Sequence, residues 1–226
     1  MPIFTSLRAP GGVLLVACYE LGHQPLNLAS PLATLRDAGF EPRAVDTSVE
    51  TLADETLADA ALIAISAPMH TALRLGAQVA ARAREINPAA SIVFYGLYAS
   101  LNGDYLLREL ADAVIGGEYE QALLATADAL ASGADREVLN APGVRTRALS
   151  SAPVLQRIPF AAPAREPLPA LRQYAHLVSG EDVAPVGYVE ATRGCLHTCL
   201  HCPITPVYGG RFFIVPRTVV LDDIRA

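Results

Sequence analysis

Near its C-terminal end the chain runs Thr192-Arg-Gly-Cys-Leu-His-Thr-Cys-Leu-His-Cys-Pro-Ile204, which sets Cys195, Cys199 and Cys202 in a C-x3-C-x2-C spacing; the only other cysteine is Cys18. Three thiolates on one short loop can ligate three irons of a cubane cluster and leave the fourth iron open, whereas an electron-transfer cluster is closed by four cysteines. An open iron can bind substrate, so the spacing reads as a reactive site. Zinc is the main competitor. It wants four tetrahedral ligands, often Cys3His, and His197 or His201 could supply the fourth. Zinc loops usually add a second ligand pair downstream, however, and none follows. Three clustered cysteines cannot all pair as disulfides, and nothing marks the chain as exported.

With Arg193-Gly194 before it and Pro203-Ile204 after it, this run resembles the cluster loop of the radical S-adenosylmethionine (radical SAM) superfamily. The resemblance implies a [4Fe-4S] cluster on Cys195, Cys199 and Cys202, at the end of the first strand of a partial (β/α) barrel. It also implies that S-adenosylmethionine chelates the open iron and is cleaved reductively to a 5'-deoxyadenosyl radical. An external electron donor such as flavodoxin or ferredoxin, and a small-molecule or peptide substrate, come with that chemistry. The residue before the third cysteine is usually aromatic in the family; here it is His201.

The elements around the loop should position it. Val186-Gly-Tyr-Val-Glu-Ala191 is rich in β-branched and aromatic residues and is predicted as a strand, bounded by Pro185. Tyr208 to Val215 is punctuated by glycine, and Pro216 to Ala226 is predicted as a helix with Asp222-Asp223 on its polar side. Strand, loop and helix make the first β/α unit of a barrel, and a complete one takes roughly 250 residues. The expectation is therefore an N-terminal portion of a longer enzyme, inactive by itself.

Upstream, apolar strands alternate with helices: Val13–Cys18, Pro42–Asp46, Ala61–Ser66, Ser91–Tyr95 and Ala113–Ile115, with helices over Leu28–Ala38, Thr71–Ile86 and Tyr119–Ala131. Strands apolar throughout imply a parallel sheet covered on both faces. The predicted fold is α/β, a flavodoxin-like (Rossmann-like) five-stranded sheet of order 2-1-3-4-5. Its crevice lies outside the C-terminal ends of strands one and three, where the loops Tyr19–Pro25 and Ala67–His70 carry His23 and His70.

This domain resembles the cobalamin-binding module that precedes the barrel in many radical SAM enzymes, on its strand order, its place upstream of the cysteines, and the run Val114-Ile-Gly-Gly-Glu-Tyr-Glu120. The resemblance implies a corrinoid lined by Tyr19, His23, Ser66, Ala67, Gly96, Gly116, Gly117 and Glu118. Glycines there would let backbone approach a ligand. Histidine-ligating cobalamin proteins carry Asp-x-His-x-x-Gly; around His23 those flanking positions are Leu21 and Leu26, so His23 is not expected to ligate cobalt. A Gly-Gly-Glu in radical SAM barrels holds the S-adenosylmethionine amino group, but it follows the cysteines, whereas Gly116-Gly117-Glu118 precedes them.

The predicted organisation is a cobalamin-binding-like domain over 1–133, a Pro/Ala-rich linker over 134–182 with a helical turn at Ala170–Leu177, and the start of the radical SAM domain over 183–226. The net charge of −6 speaks against a nucleic-acid surface. No apolar run approaches the ~18 residues of a membrane span, and free cysteines without an export signal indicate the cytoplasm. All 17 basic residues are arginine, which excludes lysine Schiff bases and P-loops from this segment. A signalling receiver fails as well, because Ser66 stands where the phospho-accepting aspartate belongs. The functional expectation is cobalamin-dependent radical SAM chemistry, methyl transfer or a related radical modification. Its alternatives are a radical SAM enzyme with a vestigial first domain and a zinc-stabilised binding protein.

Overall fold

Alternate residues of the first strand belong to different cores, which is why its sequence shows no polar face. The computed structural model describes residues 6–156 and 159–226. In strand β1 (Val13–Ala17), Val13, Leu15 and Ala17 join one buried cluster while Leu14 and Val16 join the other. Strands β2 (Arg43–Asp46), β3 (Leu62–Ser66), β4 (Ser91–Tyr95) and β5 (Ala113–Ile115) complete a parallel set in the order β2-β1-β3-β4-β5, as the sequence predicts. Helices α1 (Leu26–Asp37) and α6 (Glu120–Ala131) cover one face. Helices α2 (Asp54–Asp59), α3 (His70–Ile86), α4 (Leu97–Leu101) and α5 (Gly103–Glu109) cover the other. Asn87, next after α3, stops it and donates to the carbonyls of Leu57, Ala58 and Ala60 at 2.9–3.0 Å.

Part of the segment expected to be a Pro/Ala-rich linker with docking points extends the sheet. Strand β6 (Val144–Thr146) pairs antiparallel with β5, making six strands, and Val154 bridges Gly117. Without it β5 would be a bare edge presenting unpaired amides. The expected helical turn at Ala170–Leu177 is only a 3-10 turn over Leu171–Gln173. After it the chain forms a hairpin of β7 (His176–Ser179) and β8 (Asp182–Pro185) across Gly180-Glu181. A two-residue glycine-bearing loop favours a hairpin.

Val186–Ala191 is not a strand. Among the described residues its backbone ties are few: the Val186 amide donates to Ala175 and the Ala191 carbonyl accepts from Val215. The ladder begins later, in β9 (Thr192–Gly194), antiparallel to β10 (Phe212–Ile214). Between them lie the cysteine loop and α7 (Thr205–Tyr208); α8 (Arg217–Arg225) follows Pro216. Asp223 of α8 is not on a polar face. It is buried against Arg165, whose Nε and Nη2 donate to its carboxylate at 2.7 and 2.9 Å. No helix among the described residues is long and apolar enough to cross a membrane.

Candidate functional site

Parallel strands that all end at one edge leave their following loops side by side, and here four of those loops meet. After β1 the chain turns through Leu21, whose φ of 55° is unusual for a leucine and marks a constrained loop. Glu20 of this loop accepts from the Leu26 amide at 3.2 Å and from Asn27 Nδ2 at 3.0 Å through Oε1, at the N-terminus of α1. Its Oε2 is buried without a partner, and burial raises its pKa to about 7. The His23 ring lies 5.6 Å from that of Tyr188, nearly parallel, with Nδ1 buried and unpartnered. Tyr19 is half-buried on the same loop.

Ser66 ends β3 fully buried, and its Oγ also has no partner. Ala67 donates its amide to Tyr95 at 2.8 Å and accepts from the Tyr98 amide at 2.9 Å. Gly96 follows β4 with φ 101°, and a Cβ there would press on the Ala67 carbonyl at 3.3 Å; the close approach of the β3 and β4 loops depends on that glycine. The Tyr95 hydroxyl donates to the Asn27 carbonyl at 2.7 Å and the Tyr119 hydroxyl to Asn27 Oδ1 at 2.5 Å. His70 begins α3, edge-on to Tyr98.

The glycine–glutamate turn after β5 makes contacts within the chain. Gly117 has φ 75°, and a Cβ on it would run into the Val154 carbonyl; one on Gly116 would meet Ser100 and Pro153. Chain occupies the approach that Gly116 allows and meets Gly117 on one side, while Gly117 also borders a cavity. The carboxylate of Glu118 is taken up as well, by Arg193 Nη1 at 2.9 Å and by the Tyr208 hydroxyl at 3.0 Å. Arg193 further donates to Glu120 at 2.6 and 2.9 Å and to Glu190 at 2.6 Å. Burial raises the pKa of Glu118 and of Glu190, and Arg193 opposes the rise only in part because three carboxylates share it. Burial alone would lower the guanidinium, but Glu120 and its neighbours hold it above its ordinary value.

Arg193 stands two residues before Cys195. Cys199 is exposed and Cys195 and Cys202 are half-buried, all as free thiols. The loop is set by the Cys195 amide donating to Arg211 at 3.0 Å and by Thr205 Oγ1 donating to the Cys199 carbonyl at 3.1 Å. Among the described residues no three His, Cys, Asp or Glu side chains converge on a common metal position. A cavity of about 320 Å³ separates the loop's flanks from the sheet edge, walled by Gly96, Gly117 and Tyr119 on one side and by Tyr188, Arg193 and Tyr208 on the other. A second cavity of about 480 Å³, behind Arg165 and α8, contains none of the expected cofactor or cluster residues.

The sheet edge decides the family: residues 12–127 of the 226 match the B12 binding domain. The chain belongs to the B12-binding domain family. In fold it is similar to a radical S-adenosylmethionine methyltransferase, TsrM, from Kitasatospora setae, solved with cobalamin and a [4Fe-4S] cluster bound. The TM-score is 0.64 at 19% identity, over 94% of this chain and 44% of that one. A second structure of TsrM, with tryptophan substrate and a SAM analog, gives a TM-score of 0.61 at 17% identity over the same shares. The B12-binding chain thus spans under half the length of the structures it resembles. No curated protein matches its sequence.

Within this B12-binding fold, Tyr19, His23, Ser66, Ala67 and Gly96 all sit on loops at the C-terminal sheet edge. Gly116, Gly117 and Glu118 stand at the same edge but face the linker and Arg193. Glu20, Asn27, Tyr119, Glu120 and Arg193 were not expected there. Glu20 had one signal, a carboxylate just past an apolar strand; the pairing of Glu120 with Arg193, 73 residues apart, leaves none in the sequence.

Proposed function

We propose that this chain carries the cobalamin crevice and the cluster loop of a cobalamin-dependent radical SAM enzyme that transfers a methyl group to a small molecule or peptide. The observation that carries the reading is the shared cavity: the edge of a B12-binding sheet and the flanks of a C-x3-C-x2-C loop wall the same space.

The residues present suit both groups. Glu20 Oε2, His23 Nδ1 and Ser66 Oγ are buried polar atoms without partners on the β1 and β3 loops. Orphaned polar atoms are costly unless something meets them, and the amide-rich periphery of a corrinoid offers both donors and acceptors. Tyr19, Ser66, Ala67 and Gly96 would line that group. Cys195, Cys199 and Cys202 are free thiols on one exposed loop, a soft donor set suited to iron–sulfur ligation. Ordering of such a loop is coupled to metal binding. Together the bound groups supply one-electron reduction of S-adenosylmethionine and a methyl carrier.

The chain's own side chains do the positioning. Asn27 joins Glu20, Tyr95 and Tyr119, fixing the crevice floor. Tyr119 and Tyr188 line the cavity wall, and Arg193 and Tyr208 hold the loop against it. Electrons would come from an external protein donor.

The test is anaerobic reconstitution with iron and sulfide, followed by titration with hydroxocobalamin. The expected result is cluster absorbance that vanishes in Cys199→Ala, together with a saturable change in the corrin spectrum that Cys199→Ala retains. Full cluster absorbance in Cys199→Ala, or an unchanged corrin spectrum with the wild-type chain, would overturn the reading.

A further inference from the structure

Both flanks of the cysteine loop are anchored on one turn of the B12-binding sheet. Arg193, before Cys195, and Tyr208, after Cys202, both reach the carboxylate of Glu118 in the turn after β5. Four bonds run from Arg193 to Glu118, Glu120 and Glu190, from a guanidinium that has five N–H donors. Its flat faces are covered by Tyr119 at 5.6 Å and Phe160 at 5.0 Å. Its centre is buried: Arg193 is 7% exposed, Glu118 1% and Glu120 2%, with Glu190 at the margin.

The turn also reaches the crevice. Glu120 Oε1 accepts from Ser30 of α1 at 2.6 Å, and the Tyr119 hydroxyl donates to Asn27, which donates in turn to Glu20. Hydrogen bonds therefore link the carboxyl of Glu20, through Asn27, to Tyr119, the residue between Glu118 and Glu120 in the turn that holds the cysteine loop. A lysine could not reproduce the arrangement, because its ammonium has three donors and Arg193 makes four bonds to three carboxylates.

We infer that Glu118, Glu120 and Arg193 form a clamp that couples occupancy of the cobalamin crevice to the order of the Cys195–Cys202 loop. Arg193 is then a positioning residue for the cluster, and the glycine–glutamate turn is a docking element rather than a cofactor contact. The inference rests on the crevice and loop assignments of the proposed function.

The experiment is hydrogen exchange on the whole chain with and without hydroxocobalamin, in wild type, Arg193→Met, and the triple variant Glu118→Gln/Glu120→Gln/Arg193→Met. In wild type, cobalamin slows exchange over residues 195–202 by about fivefold or more, the lower range of site-to-site coupling. Arg193→Met strands buried carboxylates and speeds exchange there by about a hundredfold. The triple variant removes the fully buried charges and leaves only Glu190, 25% exposed and open to water, without its partner, so it folds and binds hydroxocobalamin, yet the slowing at 195–202 is lost. Slowing that survives in the triple variant overturns the clamp, as does unaltered exchange in Arg193→Met. A wild-type chain that does not bind hydroxocobalamin overturns the crevice assignment and the coupling with it. The comparison without cobalamin then decides separately whether Arg193 anchors the loop.

Discussion

The sheet and the cysteine-bearing region are held together by different physics. In β1, β3, β4 and β5, residues on both faces are buried, and two apolar clusters flank these strands. Beyond residue 186, the buried side chains among the described residues are Val207, Val215, Arg193 and Asp223, so half of them are charged. Leu196, Leu200 and Ile214 remain exposed. The first region folds around its own core, whereas the second is docked by two buried ion pairs, Arg193 on the β5–α6 turn and Arg165 with Asp223. Buried pairs contribute little net stability when intact but are severe to break. That makes them suited to fixing one arrangement between two parts.

Breaking the second region should therefore leave the first intact. Arg165→Met leaves Asp223, 3% exposed, without its partner and should cost about 3–5 kcal/mol. Hydrogen exchange is expected to rise over 186–226 while β1 and β4 stay protected; equal loss in both regions would erase the distinction. The converse is Leu15→Ala, at a fully buried position of β1, which should cost about 2–5 kcal/mol. Urea denaturation is expected to show the loss in the sheet's main transition.

A third change separates polar from apolar burial within the sheet edge. The pKa of Glu20 rises from 4.5 to about 7 on folding, so the native state keeps a proton that the unfolded chain has lost. The contribution of Glu20 to stability is then fully present below pH 4.5 and is lost as pH rises through about 7, by up to about 3 kcal/mol. Glu20→Gln should flatten that slope and be more stable than wild type at pH 8, as thermal denaturation at several pH values would reveal. An unaltered slope would mean that the carboxyl does not titrate in this window.

The smallest effect sharpens the role of the β5 turn. Gly117→Ala forces a side chain into positive φ and against Val154, at roughly 1–3 kcal/mol. If the turn docks chain rather than cofactor, the variant loses thermal stability while its affinity for hydroxocobalamin holds. Lost affinity at unchanged stability would restore the turn to the cofactor site.

The sheet was legible because four of its parallel strands, β1, β3, β4 and β5, are largely apolar runs between helical stretches, and Ser91–Tyr95 and Ala113–Ile115 match to the residue. The short pieces were not: α2, α4 and β6 have few buried positions, so no period shows. Val186–Ala191 has the composition of a strand, but strand formation depends on a pairing partner more than on residue type. The cysteines were legible by spacing alone. Arg193 stood in the quoted motif without a role, since its carboxylate partners Glu118 and Glu120 lie more than 70 positions away.

The most direct test of the account is the iron, cobalt and zinc content of the anaerobically purified wild-type chain after reconstitution with iron, sulfide and hydroxocobalamin. About four irons and about one cobalt per chain is the expected result. Zinc without iron would contradict the cluster assignment, and iron without cobalt would contradict the crevice.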